Sequence, residues 1–279
     1  MELKTLTNGL ENNSMKIKKL HTAEEVYNDA NLEVSRKISP KHNYSKLAKT
    51  VFSQSGEDGI IEFVFKQIAP KHKYYVEFGA SDGHALSNTK NLRENYGWTG
   101  LLMDSSDDHI NRSNGLVKKE IISKDNINDL FDKYGVPKDF DFLSIDVDGD
   151  DLYIFDAMTY QPSVIIAEYN PGLPNHLPLT VMEGISDWNG KPLVKGKSFD
   201  YHGSNINAWH TVGKRKGYVA ITTVNVNVVL VKEEFANLFF VPTFEELISI
   251  PYFNFDQYRY NVQSGARDHI KDGILCEVE

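Results

Sequence analysis

From residue 57 the chain alternates between two hydrophobic rhythms. "EDGIIEFVFKQI" (57–68) places apolar residues at helical spacing with acids in its first turn, so the pattern predicts a helix. "YYVEFG" (74–79) is a short apolar run of the buried-strand kind. The same pair recurs along the chain. Helices are predicted over 88–97, 106–114, 126–135 and 150–158, two of them stopping at a glycine. Strands are predicted over 99–104, 116–123, 140–146 and 163–170. Strand–helix units in series with short links build a mostly parallel sheet covered on both faces.

After residue 170 the rhythm breaks. Residues 171–203 are rich in Pro, Gly and aromatics and too long for an ordinary connection, which marks a lid or acceptor loop. "SNINAWHTVGKRKG" (204–217) then reads as helix. "YVAITTVNVNVVLV" (218–231) reads as two strands joined by a tight turn near Asn225, an antiparallel hairpin closing the sheet. The expected fold is therefore α/β: a Rossmann-like, doubly wound, seven-stranded sheet, mostly parallel with a terminal antiparallel hairpin. Its domain spans 51–235. Residues 1–50 form a polar, lysine-rich extension, partly helical or disordered, and 236–279 form a C-terminal extension.

Composition narrows the partners. The chain has 279 residues, 25% of them charged, with a net charge of −9. A net acidic surface argues against non-specific binding to nucleic acid or anionic membrane. No apolar run reaches the roughly 18 residues of a membrane span, and the N-terminus lacks the apolar core of a signal peptide. With Cys276 as the sole cysteine, no intrachain disulfide can form, and the expected setting is cytoplasmic. The two terminal extensions are candidates for the arms of a homodimer.

The first chemical signal is "VEFGASDGHALSNT" (76–89), a strand end, a glycine-containing loop and a helix start. Ligands of open parallel sheets lie at the carboxyl ends of strands. Gly79 and Gly83 would let backbone approach a ligand, and the following helix N-terminus offers free N–H groups. The loop is not a P-loop, because no Gly-Lys-Ser/Thr follows, and it lacks the three-glycine dinucleotide fingerprint. Asp104 ends the next strand, where ribose-binding carboxylates sit in nucleoside-cofactor folds. A tight turn and a helix-capping aspartate are the plain alternatives.

"VEFGASDG" resembles the first motif of class I S-adenosylmethionine-dependent methyltransferases. Together with "SQSGEDGI" (53–60), "LSIDVDGDD" and "IIAEYNP" it is similar to the FkbM-like members, many of which methylate hydroxyls of sugars or natural products. The resemblance covers roughly residues 50–235. It implies S-adenosyl-L-methionine as cofactor, with Glu77, Gly79 and Ser81 around the methionine part, Asn88 in the same loop, and Asp104 and Ser105 at the ribose. It further implies Ser123 and Asp125 beside the adenine and Gln54 at the amino-acid end. The implied activity is O-methyl transfer to a small-molecule or carbohydrate acceptor.

The second signal is "FLSIDVDGDDLYIF" (142–155), with Asp146, Asp148, Asp150 and Asp151 after an apolar run. Carboxylates this close need water or a cation between them. An EF-hand loop counted from Asp146 would need Gly at its sixth position and Glu at its twelfth; Asp151 and Ala157 stand there, so that reading fails. "SIDVD" also has the Asp-x-Asp form of metal-dependent nucleotide-sugar glycosyltransferases, the alternative function, but that reading leaves "VEFGASDG" unexplained. Strand geometry offers a third account. Asp146 ends the fourth core strand, and Glu168 and Asn170 end the fifth, so three hard oxygen ligands converge for Mg²⁺ or Mn²⁺. This arrangement resembles the metal-dependent O-methyltransferases of the catechol type, although "EYN" carries one residue more than their acid–Asn pair. Without a metal, Asp146 and Asp148 would meet substrate or cofactor directly, while Asp150 and Asp151 favour the helix N-terminus.

A hydroxyl acceptor needs a base or a metal to lose its proton. Asp148 and His202 are the candidate catalytic residues. His210 reads as structural, and His84 as a shaper of the cofactor pocket. Trp188, Tyr201 and His176 in the 171–203 segment suit a polyol or a packed loop equally well.

Overall fold

The computed structural model describes residues 15–22, 25–26, 44–171, 173–184, 202–249 and 274–279. Trp188 and Tyr201 lie outside them. The central sheet uses strands β2 (Tyr74–Phe78), β3 (Thr99–Asp104), β4 (Lys118–Lys119), β5 (Phe142–Ile145), β6 (Val164–Glu168), β8 (Tyr218–Val224) and β9 (Asn227–Lys232). Their order across the sheet is β4-β3-β2-β5-β6-β9-β8. The first five are parallel; β9 pairs antiparallel with β6 and with β8. The expected hairpin is present, and its turn residue Asn225 takes a φ of 52°.

Two hydrophobic clusters, one on each face, hold this sheet. Val76, Phe78, Leu143 and Ile145 belong to one cluster, Tyr75 and Phe142 to the other, which is the period-2 alternation of a strand buried on both sides. Helices α1 (Glu57–Gln67) and α2 (Lys90–Tyr96) cover the second face through Ile60, Ile61, Val64 and Leu92. Helix α3 (Asp107–Arg112) adds Ile110 to that side. Helices α4 (Ile127–Lys133), α5 (Asp151–Ala157) and α6 (Ile206–Arg215) cover the other face through Phe131, Phe155 and Trp209. Glycines end α2 and follow α4 as expected, Gly97 at φ 68° and Gly135 at φ 66°. Asn205 caps α6 by accepting from the Ala208 N–H at 2.8 Å. A capping box of Thr243 and Glu246 opens the short helix α7 (Phe244–Ile248).

A second sheet joins short segments from both ends of the chain. Strands β1 (Ile17–Thr22), β10 (Ile274–Val278) and β7 (Leu179–Val181) pair antiparallel in the order β1-β10-β7. Described stretches near both ends of the chain and residues 179–181 thus meet in one sheet. Leu173, Leu179, Val181 and Leu275 form its small apolar core with Val26. Glu277, buried in β10, accepts from Lys18 at 2.6 Å and bonds His21 Nε2 at 2.7 Å across to β1. Among the described residues no helix is long and apolar enough to cross a membrane.

Candidate active site

The order of the strands decides where the site lies. From β2 the chain winds outward through β3 to β4, then crosses to β5 and β6 on the opposite side. The gap between β2 and β5 is the switch point where ligands enter sheets of this kind. A cavity of about 970 Å³ opens there, walled by the carboxyl ends of β2, β3, β5 and β6. Gln54, Glu77, Gly79, Ser81, Asn88, Asp104, Ser105, Asp146, Asp148 and Glu168 all reach its wall.

The backbone around this cavity is bent to shape. Ser81, Leu86 and Asp148 hold positive φ values of 51°, 58° and 59°, and all three line it. Such conformations in non-glycine residues cost energy and gather at functional sites. Gly79 has a packing role besides its place on the cavity wall. A Cβ there would lie 1.5 Å from the Asp146 carbonyl oxygen, so Gly79 lets the β2 and β5 loops touch each other. A Cβ on Gly83 would press on Leu116 and Leu102 side chains.

Glu77 is also spent inside the protein. Its oxygens accept from Ser87 Oγ at 2.7 Å, Thr89 Oγ1 at 2.6 Å and the Asn88 N–H at 2.8 Å. Burial pushes its pKa up, and these three donors pull the other way. The acid therefore anchors the 87–89 loop, and through it Asn88, whose Nδ2 donates to Ser144 Oγ at 3.0 Å.

Asp104 is 8% exposed at the end of β3. It accepts from the Ser81 N–H and the Ser106 N–H, both at 2.8 Å, and bonds His109 Nδ1 at 3.0 Å. A carboxylate has about four lone-pair sites, so the three contacts fix it and leave acceptor capacity toward the cavity. Gln54 reaches the same wall from a loop clasped by Asp58, whose Oδ2 accepts from the N–H groups of Val51, Phe52 and Ser53, each at 2.8 Å.

Asp146, Asp148 and Glu168 bring ligand oxygens within 4.8 Å of one another. Burial, then the charge of Glu168 and of Asp148, raises the Asp146 pKa well above the carboxylate range. Burial and the neighbouring aspartates push Glu168 up to about 8, and Asp148 up to about 6. The charges of Glu168 and Asp148 disfavour ionisation of Asp146, and the charge of Asp148 disfavours ionisation of Glu168. Three close carboxylates need protons or a cation to coexist, and a hard all-oxygen set of this kind fits Mg²⁺ or Mn²⁺. Asp151 lies under the cluster, accepting from the Val147 and Gly149 N–H groups at 2.7 and 2.8 Å, and so shapes the loop. Asp150 accepts from the Gly184 N–H at 3.0 Å.

Four expected residues fall outside the cavity wall. Strand β4 ends at Lys119, short of the predicted Ser123, so Glu120, Ile121 and Ile122 form the wall instead. The Ser123 N–H is taken by Asn126 Oδ1 at 2.8 Å, and Asp125 pairs with Lys124 at 3.2 Å on the surface. Asn170 is 1% exposed and its Nδ2 donates to the His202 carbonyl at 2.9 Å. The chain leaves the sheet at once after Glu168, with the Tyr169 N–H bonded to Val226 O and the Asn170 N–H to Ser204 O, both at 2.7 Å. Asp148 takes the third place in the oxygen cluster. His202 lies by Asn170 and near Asp151, off the wall. His109, Glu120, Ile121 and Ser144 are wall residues that sequence reading missed. His109 alone carried a signal, as a histidine in the first turn of a helix that opens just after Asp104.

No family profile matches the sequence, and no curated protein matches it. Several solved structures of methyltransferases overlap it loosely. A putative sarcosine dimethylglycine methyltransferase from Galdieria sulphuraria is 14% identical, with 78% of this chain and 82% of that one aligned at a TM-score of 0.37. Geranyl diphosphate C-methyltransferase from Streptomyces coelicolor A3(2) is 14% identical, with 92% and 97% aligned at 0.34. PKMT2 from Rickettsia typhi is 18% identical at 0.30; the match takes in 44% of this chain and spans only 27% of the length of that protein. Each of these TM-scores is below 0.5, and the functional reading rests on the cavity instead.

Proposed function

We propose that the protein is an S-adenosylmethionine-dependent methyltransferase that transfers the methyl group to a hydroxyl of a sugar, glycan precursor or similar polar small molecule. The observation that carries this reading is the convergence of Gly79, Ser81, Asp104 and Asp146 on one cavity at the switch point of a seven-stranded sheet closed by an antiparallel hairpin. The sequence resemblance to FkbM-like methyltransferases supports it. Asp104 offers a fixed acceptor for ribose hydroxyls, with His109 and Ser105 beside it. Gln54 approaches from the loop ahead of α1 and suits the amino-acid end.

Methyl transfer from a sulfonium is an in-line displacement, and alignment of the reactants supplies much of its acceleration. The acceptor hydroxyl must also lose its proton. Asp146, Asp148 and Glu168 would hold the divalent cation, which when bound lowers the pKa of a ligated hydroxyl. In the cation-free protein Asp148, raised only to about 6, is the member of the cluster still ionised near neutral pH and so the one suited to general base work. The nucleotide-sugar glycosyltransferase alternative gives no ligand role to Ser81 and Asp104 on the cavity wall.

Isothermal titration with S-adenosylhomocysteine tests the reading. Micromolar binding is expected, and absence of binding refutes it.

A further inference from the structure

The cavity reaches beyond the residues assigned to the cofactor and the cation. At its β6–β9 end Glu57, from the start of α1, and Asn227, from the start of β9, both line the wall. Glu57 is fully buried and Asn227 is 7% exposed. Glu57 Oε2 accepts from the Ser55 N–H at 2.7 Å, and its Oε1 accepts from Asn227 Nδ2 at 3.0 Å. An acid that accepts at both oxygens turns the carboxamide of Asn227 one way round, with Nδ2 toward Glu57 and Oδ1 away from it. No described group bonds that Oδ1. An acceptor left over in so buried a side chain is costly unless a ligand or water serves it.

The sheet fixes what Asn227 can reach. It is paired with Glu168 across β6 and β9. Period-2 alternation puts both side chains on the face of Val164, Ile166, Val229 and Val231, which α1 covers. Directly opposed side chains of an antiparallel pair stand roughly 5 Å apart. Asp104, by contrast, lies four strands away in the order β3-β2-β5-β6-β9, about 19 Å at ~4.8 Å per strand. Asp104 and Asn227 therefore serve different molecules. The cavity has room for two, because about 970 Å³ lies at the upper end of the ~300–1,000 Å³ usual for ligand pockets.

We propose that Asn227 reads the acceptor: the reacting hydroxyl meets the cluster of Asp146, Asp148 and Glu168 while a neighbouring hydroxyl of the same molecule donates to Asn227 Oδ1, so that the acceptor is a vicinal diol. Two hydrogen-bonding groups roughly 5 Å apart suit adjacent hydroxyls of one molecule. Glu57 is a positioning residue, since it decides which end of the carboxamide the acceptor meets. An ether or ketone oxygen at the second position would face Oδ1 acceptor to acceptor, and a site built for a hydroxyl donor rejects a ligand that lacks one. The assignment rests on the methyltransferase reading but concerns the acceptor alone.

The test uses the full chain saturated with S-adenosylhomocysteine. Three matched probes are titrated and followed by ligand-observed NMR: cis-1,2-cyclohexanediol, its monomethyl ether and cyclohexanol. The diol is expected to bind about tenfold more tightly than either of the others. Asn227→Ala should bring the diol down to the level of the ether while S-adenosylhomocysteine affinity stays within about twofold of wild type. Glu57→Gln provides a second variant if Asn227→Ala does not fold. Its one oxygen keeps the Ser55 N–H, and its new Nε2 donates to Asn227 Oδ1, which turns the carboxamide round. The preference for diol over ether should then vanish. No binding of the diol, no preference in the wild type, or a preference retained in a folded variant overturns the proposal. So does a parallel loss of S-adenosylhomocysteine affinity in Asn227→Ala, which would put Asn227 at the cofactor. Binding of S-adenosylhomocysteine to the wild type is measured first. Its absence would sink the methyltransferase reading, whereas its presence without the diol preference would sink only the acceptor assignment.

Discussion

Gly79 and Asp146 touch across the switch point of the sheet: a Cβ on Gly79 would fall 1.5 Å from the Asp146 carbonyl oxygen. The contact joins the loop after β2, which carries Ser81, to the loop after β5, which carries Asp148. The two halves of the cavity are therefore in register because one residue has no side chain. The Asp146 N–H donates to the Phe78 carbonyl at 3.2 Å and secures the same junction.

Gly79→Ala should accordingly be severe. The φ of 67° disfavours any side chain, and the clash is with backbone, which cannot rotate aside. Destabilisation on the order of 3 kcal/mol or more is expected. Urea unfolding monitored by tryptophan fluorescence measures it. A variant of wild-type stability would mean that the two loops can part without cost.

The same junction explains what the sequence could and could not disclose. The helices and core strands were legible because each buries a face, so apolar residues repeat with the period of the element, as at Val76 and Phe78 or Ile60 and Val64. Asp104 and Asp146 were legible as well, since strand ends can be read from the same runs. The β1-β10-β7 sheet was not. Its strands are short and pair over separations such as Leu20 with Cys276, which no local pattern encodes. The cavity wall at Glu120–Ile122 was missed by a related route. "LVKKEIIS" looks like eight strand residues, yet only Lys118 and Lys119 pair, because β4 is an edge strand with a single neighbour. Asn170 falls outside the cavity wall because it sits in a turn fixed by Ser204 and Val226, far away in sequence.

Asp104→Ala should weaken S-adenosylhomocysteine binding by about tenfold or more, which corresponds to about 1.4 kcal/mol. The substitution removes an acceptor that the Ser81 and Ser106 amides and His109 hold in place. His109→Ala should have a smaller effect of the same sign, since it loosens Asp104 without deleting it. Titration calorimetry of both variants checks the ranking. Equal affinity in Asp104→Ala and wild type would remove Asp104 from the cofactor site.

The oxygen cluster predicts a dependence on pH. In the folded, cation-free protein the Glu168 pKa is raised to about 8, above its ordinary value of 4.5. Between these two pH values the folded state binds the proton that the unfolded chain has released. Stability therefore falls as pH rises through that window. Glu168→Gln should flatten this part of the profile, and Mg²⁺ or Mn²⁺ should stabilise the wild type most at the alkaline end, where the carboxylates are free to bind it. Thermal melts across pH with and without metal test both statements. A melting temperature that does not fall over this window would contradict the assigned proton.

Turnover should follow the same residues. Asp146→Ala is expected to lower the rate of methyl transfer at least about a hundredfold while changing S-adenosylhomocysteine affinity little, the loss expected when a metal or base is removed from the reacting atoms. A chelator should lower wild-type activity, and Mg²⁺ or Mn²⁺ should restore it. Undiminished turnover in excess chelator would leave the cluster to act as a base alone.

Asp58 offers a prediction about a residue that never meets the ligand. It is fully buried at the start of α1, and its Oδ2 gathers three consecutive N–H groups from the loop that ends in Gln54. Its own N–H is bonded to Ser53 Oγ at 3.1 Å, so the loop is held from both directions. Farther along, Ser55 Oγ accepts from Asn225 at 2.7 Å, and Glu57 accepts from Asn227 at 3.0 Å, which fastens the same loop to the terminal hairpin. Hydrogen bonds to a charged acceptor contribute about 1.5–3 kcal/mol each, and stranding buried donors costs a similar amount. Asp58→Ala should therefore unfold the loop or the protein. Asp58→Asn keeps the shape and one acceptor oxygen while losing the charge, and it should leave a folded protein in which Gln54 is poorly held. The expected signature is a melting temperature lowered by only a few degrees together with S-adenosylhomocysteine affinity reduced about tenfold. The double variant with Gln54→Ala separates positioning from general damage. If Asp58 acts through Gln54, the two substitutions together should weaken binding no further than the more damaging one alone, whereas additive losses would show that Asp58 supports the site by another route.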